Sequence, residues 1–298
     1  MKKQKTVSIK AKLLGVIIPV VIAIVVVLVV AAYQISAGTI KKYSQNLLQS
    51  SVENQASQIE AWLNENLASF QMAKTIIEDL KPSDEELKTI LDGYYGYNSN
   101  YPEGLYVADS TGQLITASES TKKESDVTNS TWYKEGLTRV NMAVGSAYQN
   151  ADGVNVISAS GILNDGSDKV RVISADMTLD RIAIIVNSFI EMNDAEAFLV
   201  DKTSGVILAN RDSSLISQTL GAEGQSHFYQ LTAEKAAEKD YNFATLDGNM
   251  TVFQEVDGTN WLLISYIPTS IVLSDLTQLR NIMIVILSLI HISEPTRH

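Results

Sequence analysis

One histidine, His227, stands outside the C-terminal tail, and the 298 residues include no cysteine. A Ser-His-Asp triad would depend on that single imidazole, and a zinc site would have to be built from carboxylates, and no spacing supports either. The missing thiols also remove disulfides, cysteine nucleophiles and cysteine-based metal centres. No Gly-x-Gly-x-x-Gly occurs and no glycine precedes a lysine, which excludes the dinucleotide and P-loop motifs. The run Asp165-Gly166-Ser167-Asp168 has some calcium-loop character, but without alternating ligands or a terminal Glu it reads as a turn. The chemistry left is binding. The expectation is a chain that is not an enzyme and carries no metal and no cofactor. An anchored extracellular hydrolase is the rival class and lacks a catalytic pair. A structural or adhesive surface protein is a third.

At 45% apolar residues the chain can bury a real core, and its formal charge is −11. Lys2, Lys3, Lys5, Lys10 and Lys12 precede the first apolar run without an accompanying acid, so the remainder carries −16. An acidic body of that size repels phosphate backbones, which excludes nucleic acid as a partner. Residues 13–32 are twenty uncharged residues, enough at about 1.5 Å each to span the ~30 Å hydrocarbon layer as a helix. Pro19 inside it does not prevent insertion. The lysines before this helix place residues 1–12 in the cytoplasm and the bulk of the chain outside the cell membrane. A cleaved signal peptide has an apolar region of only about 7–15 residues, so an anchor is favoured. A second apolar run over 282–290 reads as the start of another transmembrane helix. It is cut short by a tail, 288–298, that resembles translated sequencing-adapter read-through and is set aside as non-native, leaving a cytoplasmic half missing.

Between the two runs the organisation is α+β. From 33 to 80 there is no proline and apolar residues recur three or four apart (Ile40, Tyr43, Leu47; Ile59, Trp62 or Leu63, Leu67, Phe70), which predicts one stalk helix about 70 Å long. Pro82 ends it. Ser83 and Glu86 form a capping-box pattern for a short helix to Leu91, stopped at Asp92-Gly93. After Gly104 come short β-rich runs separated by turn residues: LYVAD and QLITAS, then VNVISASGIL and VRVISADM. These predict an antiparallel sheet crossed by a short helix at WYKEGLTRV, with a second helix from Leu179 to about Met192. The pattern then repeats. YVADSTGQLI from Tyr106 is answered by FLVDKTSGVI from Phe198, Trp132-Tyr133 by Phe228-Tyr229, and VISADMT (172–178) by LISYIPT (263–269). That last alignment sets Ile267 opposite Asp176.

A long helix and two tandem sheet modules between membrane runs resemble the double Cache (dCache) sensor region of bacterial methyl-accepting chemotaxis proteins, over about residues 33–281. The resemblance implies two PAS-like modules, a membrane-distal one over 81–192 and a proximal one over 193–270, with small ligands usually held in the distal one. Amino-acid-binding members carry an Arg two positions before a Trp-Tyr pair, then Tyr-x-Asp, then an Asp ending the last strand. Trp132, Tyr133, Tyr148 and Asp176 match, whereas Ser130 stands for the Arg and Asn150 for the first Asp. The candidate ligand-binding set is Trp132, Tyr133, Tyr148, Asn150 and Asp176 from this pattern, with Tyr106 added because it lies on the first strand, where it is placed to line the same pocket. Aromatic faces and a carboxylate suit an ammonium. Without a guanidinium at position 130 an α-amino acid loses its bidentate partner, for which Arg139 or Arg171 would have to substitute. The same residues also have a plain reading, with Trp132, Tyr133 and Tyr106 as core and Asp176 as a cap for the next helix.

The resemblance further implies a homodimer through the stalk helices and signalling through the segment from Pro268 to Arg280. The expected function is a chemoreceptor sensing region for a small amine or amino acid, with cytoplasmic signalling partners reached through the missing half. The sensor of a histidine kinase or of a cyclic-dinucleotide enzyme is the alternative.

Overall fold

The computed structural model describes residues 9–285 except 151–152, 189–191, 193, 275, 278–279 and 282–283. The run expected over 282–290, apart from Ile284 and Val285, and the tail over 288–298 lie outside the described residues. The chain divides into two units, 1–47 with 267–298, and 48–266.

In the former unit, helix α1 (Ile9–Leu80) starts through Pro19 without a break. Its apolar side chains, among them Leu13, Val16, Ile17, Val20 and Ile24, are exposed. An 18-residue window reaches a mean hydropathy of 3.2 with none of it buried, so the helix is long and apolar enough to cross a membrane.

In the unit 48–266, α1 changes character. Leu48, Val52, Ala56, Ile59, Leu63, Phe70, Ala73 and Ile77 are all buried, in steps that keep one helix face inward. Its polar side chains fasten it to loops along the unit. Gln71 Oε1 accepts from Met142 N at 2.8 Å, Glu78 Oε1 from Asn164 N at 2.9 Å, and Glu60 Oε1 from Asp257 N at 2.8 Å. Helix α2 (Asp84–Asp92) opens with the expected capping box, Ser83 and Glu86 each satisfying the other's backbone N–H. Gly93 ends it in ordinary right-handed geometry, φ −68°.

The first sheet contains β1 (Leu105–Asp109), β2 (Leu114–Ile115), β3 (Ala143–Gln149), β4 (Asn155–Leu163) and β5 (Arg171–Thr178), in the order β2-β1-β5-β4-β3. Helix α3 (Thr131–Gly136) lies across one face. The approach is close enough that a Cβ on Gly136 would stand 2.3 Å from Val172 Cγ1, so this glycine lets helix and sheet meet. Helix α4 (Asp180–Val186) follows, shorter than expected, because Asn187 closes it. The second sheet repeats the plan with β6 (Glu196–Asp201), β7 (Ile207–Asn210), β8 (Ala244–Leu246), β9 (Asn249–Val256) and β10 (Trp261–Pro268), in the order β7-β6-β10-β9-β8, and helix α5 (His227–Ala237) precedes β8.

The repeat has a local cause. Asp109 at the end of β1 accepts from Thr111 N and Gln113 N, and Asp201 at the end of β6 accepts from Thr203 N and Ser204 N. Each turn then passes through a left-handed glycine, Gly112 at φ +85° and Gly205 at φ +72°.

The pairing register corrects one expectation. Tyr106 faces Ser174, and Phe198 faces Ile264. Counting two residues on along each strand sets Tyr266, not Ile267, opposite Asp176. Side chains alternate across a sheet, so the one-residue difference decides the face. Tyr266 packs with the second module's aromatic cluster together with Leu262 and Ile264.

Candidate ligand-binding site

Strands β1 and β5 are buried along nearly their whole length, so every side chain on them meets protein on one face or the other. On the α3 side, Tyr106, Ala108 and Val172 pack with Val127, Trp132 and Tyr133. Asp176 shares that face, two residues beyond Ser174, and its side chain is 8% exposed. A carboxylate this deep must be paired or fully hydrogen-bonded.

It is both. Oδ1 accepts three hydroxyls, from Tyr106 at 2.5 Å, Tyr148 at 2.9 Å and Ser158 at 2.5 Å. Oδ2 accepts from Lys122 Nζ at 2.6 Å. The same ammonium sits 4.2 Å over the Tyr106 ring, a cation–π contact. Burial first, and the adjacent Asp176 charge second, push the Tyr106 hydroxyl well above its usual range. Tyr148 moves the same way for the same two reasons. Both phenols therefore stay protonated and donate.

Trp132 stands behind this pair, its ring edge-on to Tyr106 at 4.8 Å. Its indole Nε1 donates to Glu124 at 2.9 Å. Burial pushes the Glu124 carboxyl up, opposed by that indole N–H and by Lys122. Tyr133 is buried, edge-on to Trp132 at 5.8 Å, and burial and the Asp109 charge raise its hydroxyl. It shares one buried cluster with Tyr106 and Trp132. Asn150 lines the cavity beside Asp176, with its Oδ1 accepting from Val154 N at 2.9 Å. That cavity, about 220 Å³, is bordered by Lys122, Lys123, Asn150, Val156, Asp176 and Thr178.

The structure thus brings Tyr106, Tyr148 and Asp176 into direct contact, with Trp132 in support. Neither arginine substitutes at position 130. Arg171 is committed to Asp165 at 2.8 Å and to Asp84, and Arg139 to Glu135 at 3.5 Å and to the Ala143 carbonyl at 3.1 Å. Ser130 Oγ donates to the Val127 carbonyl at the start of α3. Three contributors escape a reading of the sequence. Ser158 sits on β4 directly opposite Asp176 in register. Lys122 and Glu124 lie on an irregular segment whose polar composition carries no periodic signal.

A Cache-domain family model of the dCache type matches residues 32–276. No curated protein matches the chain. Among solved structures, the ligand-binding domain of Mlp24 with asparagine superposes with a TM-score of 0.64 at 17% identity, over 80% of this chain and 97% of that one. The ligand-binding domain of the Pseudomonas fluorescens chemoreceptor CtaA with L-isoleucine gives 0.63 at 20% identity, over 80% and 98%. That of the Campylobacter jejuni chemoreceptor Tlp3 with L-norvaline gives 0.62 at 17% identity, over 78% and 94%. At these identities the likeness is one of fold.

Proposed function

This chain belongs to the Cache-domain family, and on that premise we propose that it is the extracytoplasmic sensing region of a transmembrane chemoreceptor, binding a small molecule through a primary ammonium group in its first module. The observation that carries the reading is the Asp176 carboxylate, buried under three hydroxyls beside a cavity of about 220 Å³. Three hydroxyl donors hold the charge at one oxygen, and a cation and the face of Tyr106 complete an ammonium-binding geometry at the other. The donors that surround Asp176 support binding as the role of this site.

The amino acids bound by the similar chemoreceptor domains support an amine or amino-acid ligand. The exposed apolar start of α1 supports anchoring in the cell membrane, with the five N-terminal lysines favouring a cytoplasmic N-terminus. Met72, Ile76 and Leu80, exposed and four residues apart on α1, support a homodimer along this helix. Ligand binding can bias a two-state receptor only by its differential affinity, commonly about 1–3 kcal/mol. Output through a cytoplasmic signalling half follows from the same family reading.

The test is a melting-temperature screen of the full chain in lipid nanodiscs against primary amines, α-amino acids and their N-acetylated analogues. Ligands with a free ammonium are expected to raise the midpoint by mass action, and the acetylated forms are not. Equal shifts from acetylated analogues would overturn the ammonium assignment.

A further inference from the structure

The Lys122 ammonium occupies the position that a ligand ammonium needs. It lies 2.6 Å from Asp176 Oδ2 and 4.2 Å over the Tyr106 ring. It is carried by a segment without helix or strand. Side chains along that segment hydrogen-bond to the body of the module, Ser118 at the surface and Ser120, Lys122 and Glu124 further in. Ser118 Oγ donates to Asp92 at 3.0 Å, Ser120 Oγ to Glu103 at 2.5 Å, Lys122 to Asp176, and Glu124 accepts from Trp132. The segment is an irregular strap that turns at 117–120, and Lys122 is its one cation turned inward. Lys123, the next residue, is exposed.

Lys122 and Asp176, with side chains 10% and 8% exposed, share the wall of the same cavity, so a small molecule in that space lies against the ion pair. We propose that Lys122 is a tethered occupant of the ammonium subsite, and that a ligand binds by exchanging its own primary ammonium for that of Lys122 on Asp176. The proposal rests on the reading of Asp176 as the carboxylate that binds the ligand. The exchange conserves charge at the site, since one ammonium leaves Oδ2 as another arrives. It also selects for ligand class. A neutral or anionic molecule cannot replace the lysine without leaving a buried carboxylate unpaired, which is costly. When the ligand also carries a carboxylate, the displaced Lys122 remains beside it on the strap and provides the cation that Ser130 does not.

A site closed by its own side chain in about nine-tenths of molecules shows an apparent Kd about tenfold above the intrinsic one. Calorimetry of the full chain in nanodiscs with n-propylamine, which has no carboxylate, is therefore expected to show about tenfold tighter binding for Lys122→Gln than for the unaltered chain. A second measurement needs no variant. Acylation of the unaltered chain by an amine-reactive ester, read by peptide mass spectrometry, is expected to modify Lys123 fast and Lys122 slowly, with saturating n-propylamine accelerating Lys122. Equal or weaker binding by Lys122→Gln, or Lys122 acylated as fast as Lys123 without ligand, would overturn the exchange. The two levels separate through Asp176→Asn. If that variant binds n-propylamine normally, the Asp176 reading itself fails. If it loses binding while Lys122→Gln gains none, only the exchange fails.

Discussion

The two modules share one strand order and one turn chemistry, yet fill the space under their helices differently. In the first, β1 supplies Tyr106 and β5 supplies Asp176. In the second, the same register positions hold Phe198 and Tyr266. The second module closes with rings: Phe198 packs against Tyr229 at 5.1 Å and Phe228 against Tyr266 at 4.4 Å. Tyr266 donates to Glu196 at 2.5 Å, so its hydroxyl is turned to a carboxylate at the start of β6. The fold is satisfied with an aromatic filling at this position. A buried carboxylate ringed by hydroxyls in the sister module is then an addition to the architecture, and desolvating it costs stability unless it is used.

The comparison can be broken from the second module. Tyr266→Asp removes a packed ring and buries an acid with no ring of hydroxyls to receive it, and stability measured by chemical denaturation is expected to fall by about 3–5 kcal/mol. A loss below about 1 kcal/mol would show that the two sites are more alike than their partners suggest. It can be sharpened from the first. Tyr106→Phe makes β1 resemble β6 and deletes one of the three donors to Asp176, so affinity for n-propylamine is expected to drop about tenfold, or ~1.4 kcal/mol. Phe198→Tyr is expected to leave that affinity unchanged, as titration calorimetry on both variants would show.

The smallest effect lies in the shared turns. Burial works against ionisation of Asp109, but the Lys169 ammonium and the Thr111 and Gln113 donors outweigh it and hold the carboxyl at about 2 against an ordinary 3.8. A depressed acid stabilises the fold above its unfolded value and loses that contribution as pH falls. The first module should therefore weaken between pH 3.8 and about 2. Lys169→Met should reduce the stability difference between pH 5 and pH 2.5, measured by denaturant titration. An unchanged difference would remove Lys169 as the cause.

Much of this fold is readable without coordinates, and the reasons differ by element. The capping box at Ser83 and Glu86, the apolar seam of α1 and the paired Asp-to-Gly turns are local rules, visible in short windows. Strand β3 escapes because AVGSAYQ is poor in branched side chains and forms a sheet edge, where pairing with β4 decides its shape. The partner of Asp176 in the repeat is off by one residue because matching letters cannot see cross-strand register. Asp176 and Tyr148 stand out through their chemistry and the family pattern, and Tyr106 through its place on the first strand. Lys122 does not, since its role depends on the chain folding it back onto β5 across a sequence separation of 54.

The central claim is that Asp176 is the anion of an ammonium-binding site. Isothermal titration of the full chain and its Asp176→Asn variant with n-propylamine tests it most directly. The account predicts measurable binding to the first and at least a hundredfold loss in the second, ~2.7 kcal/mol or more, with Tyr266→Phe within about twofold of the unaltered chain. Equal affinities for the unaltered chain and Asp176→Asn would contradict it.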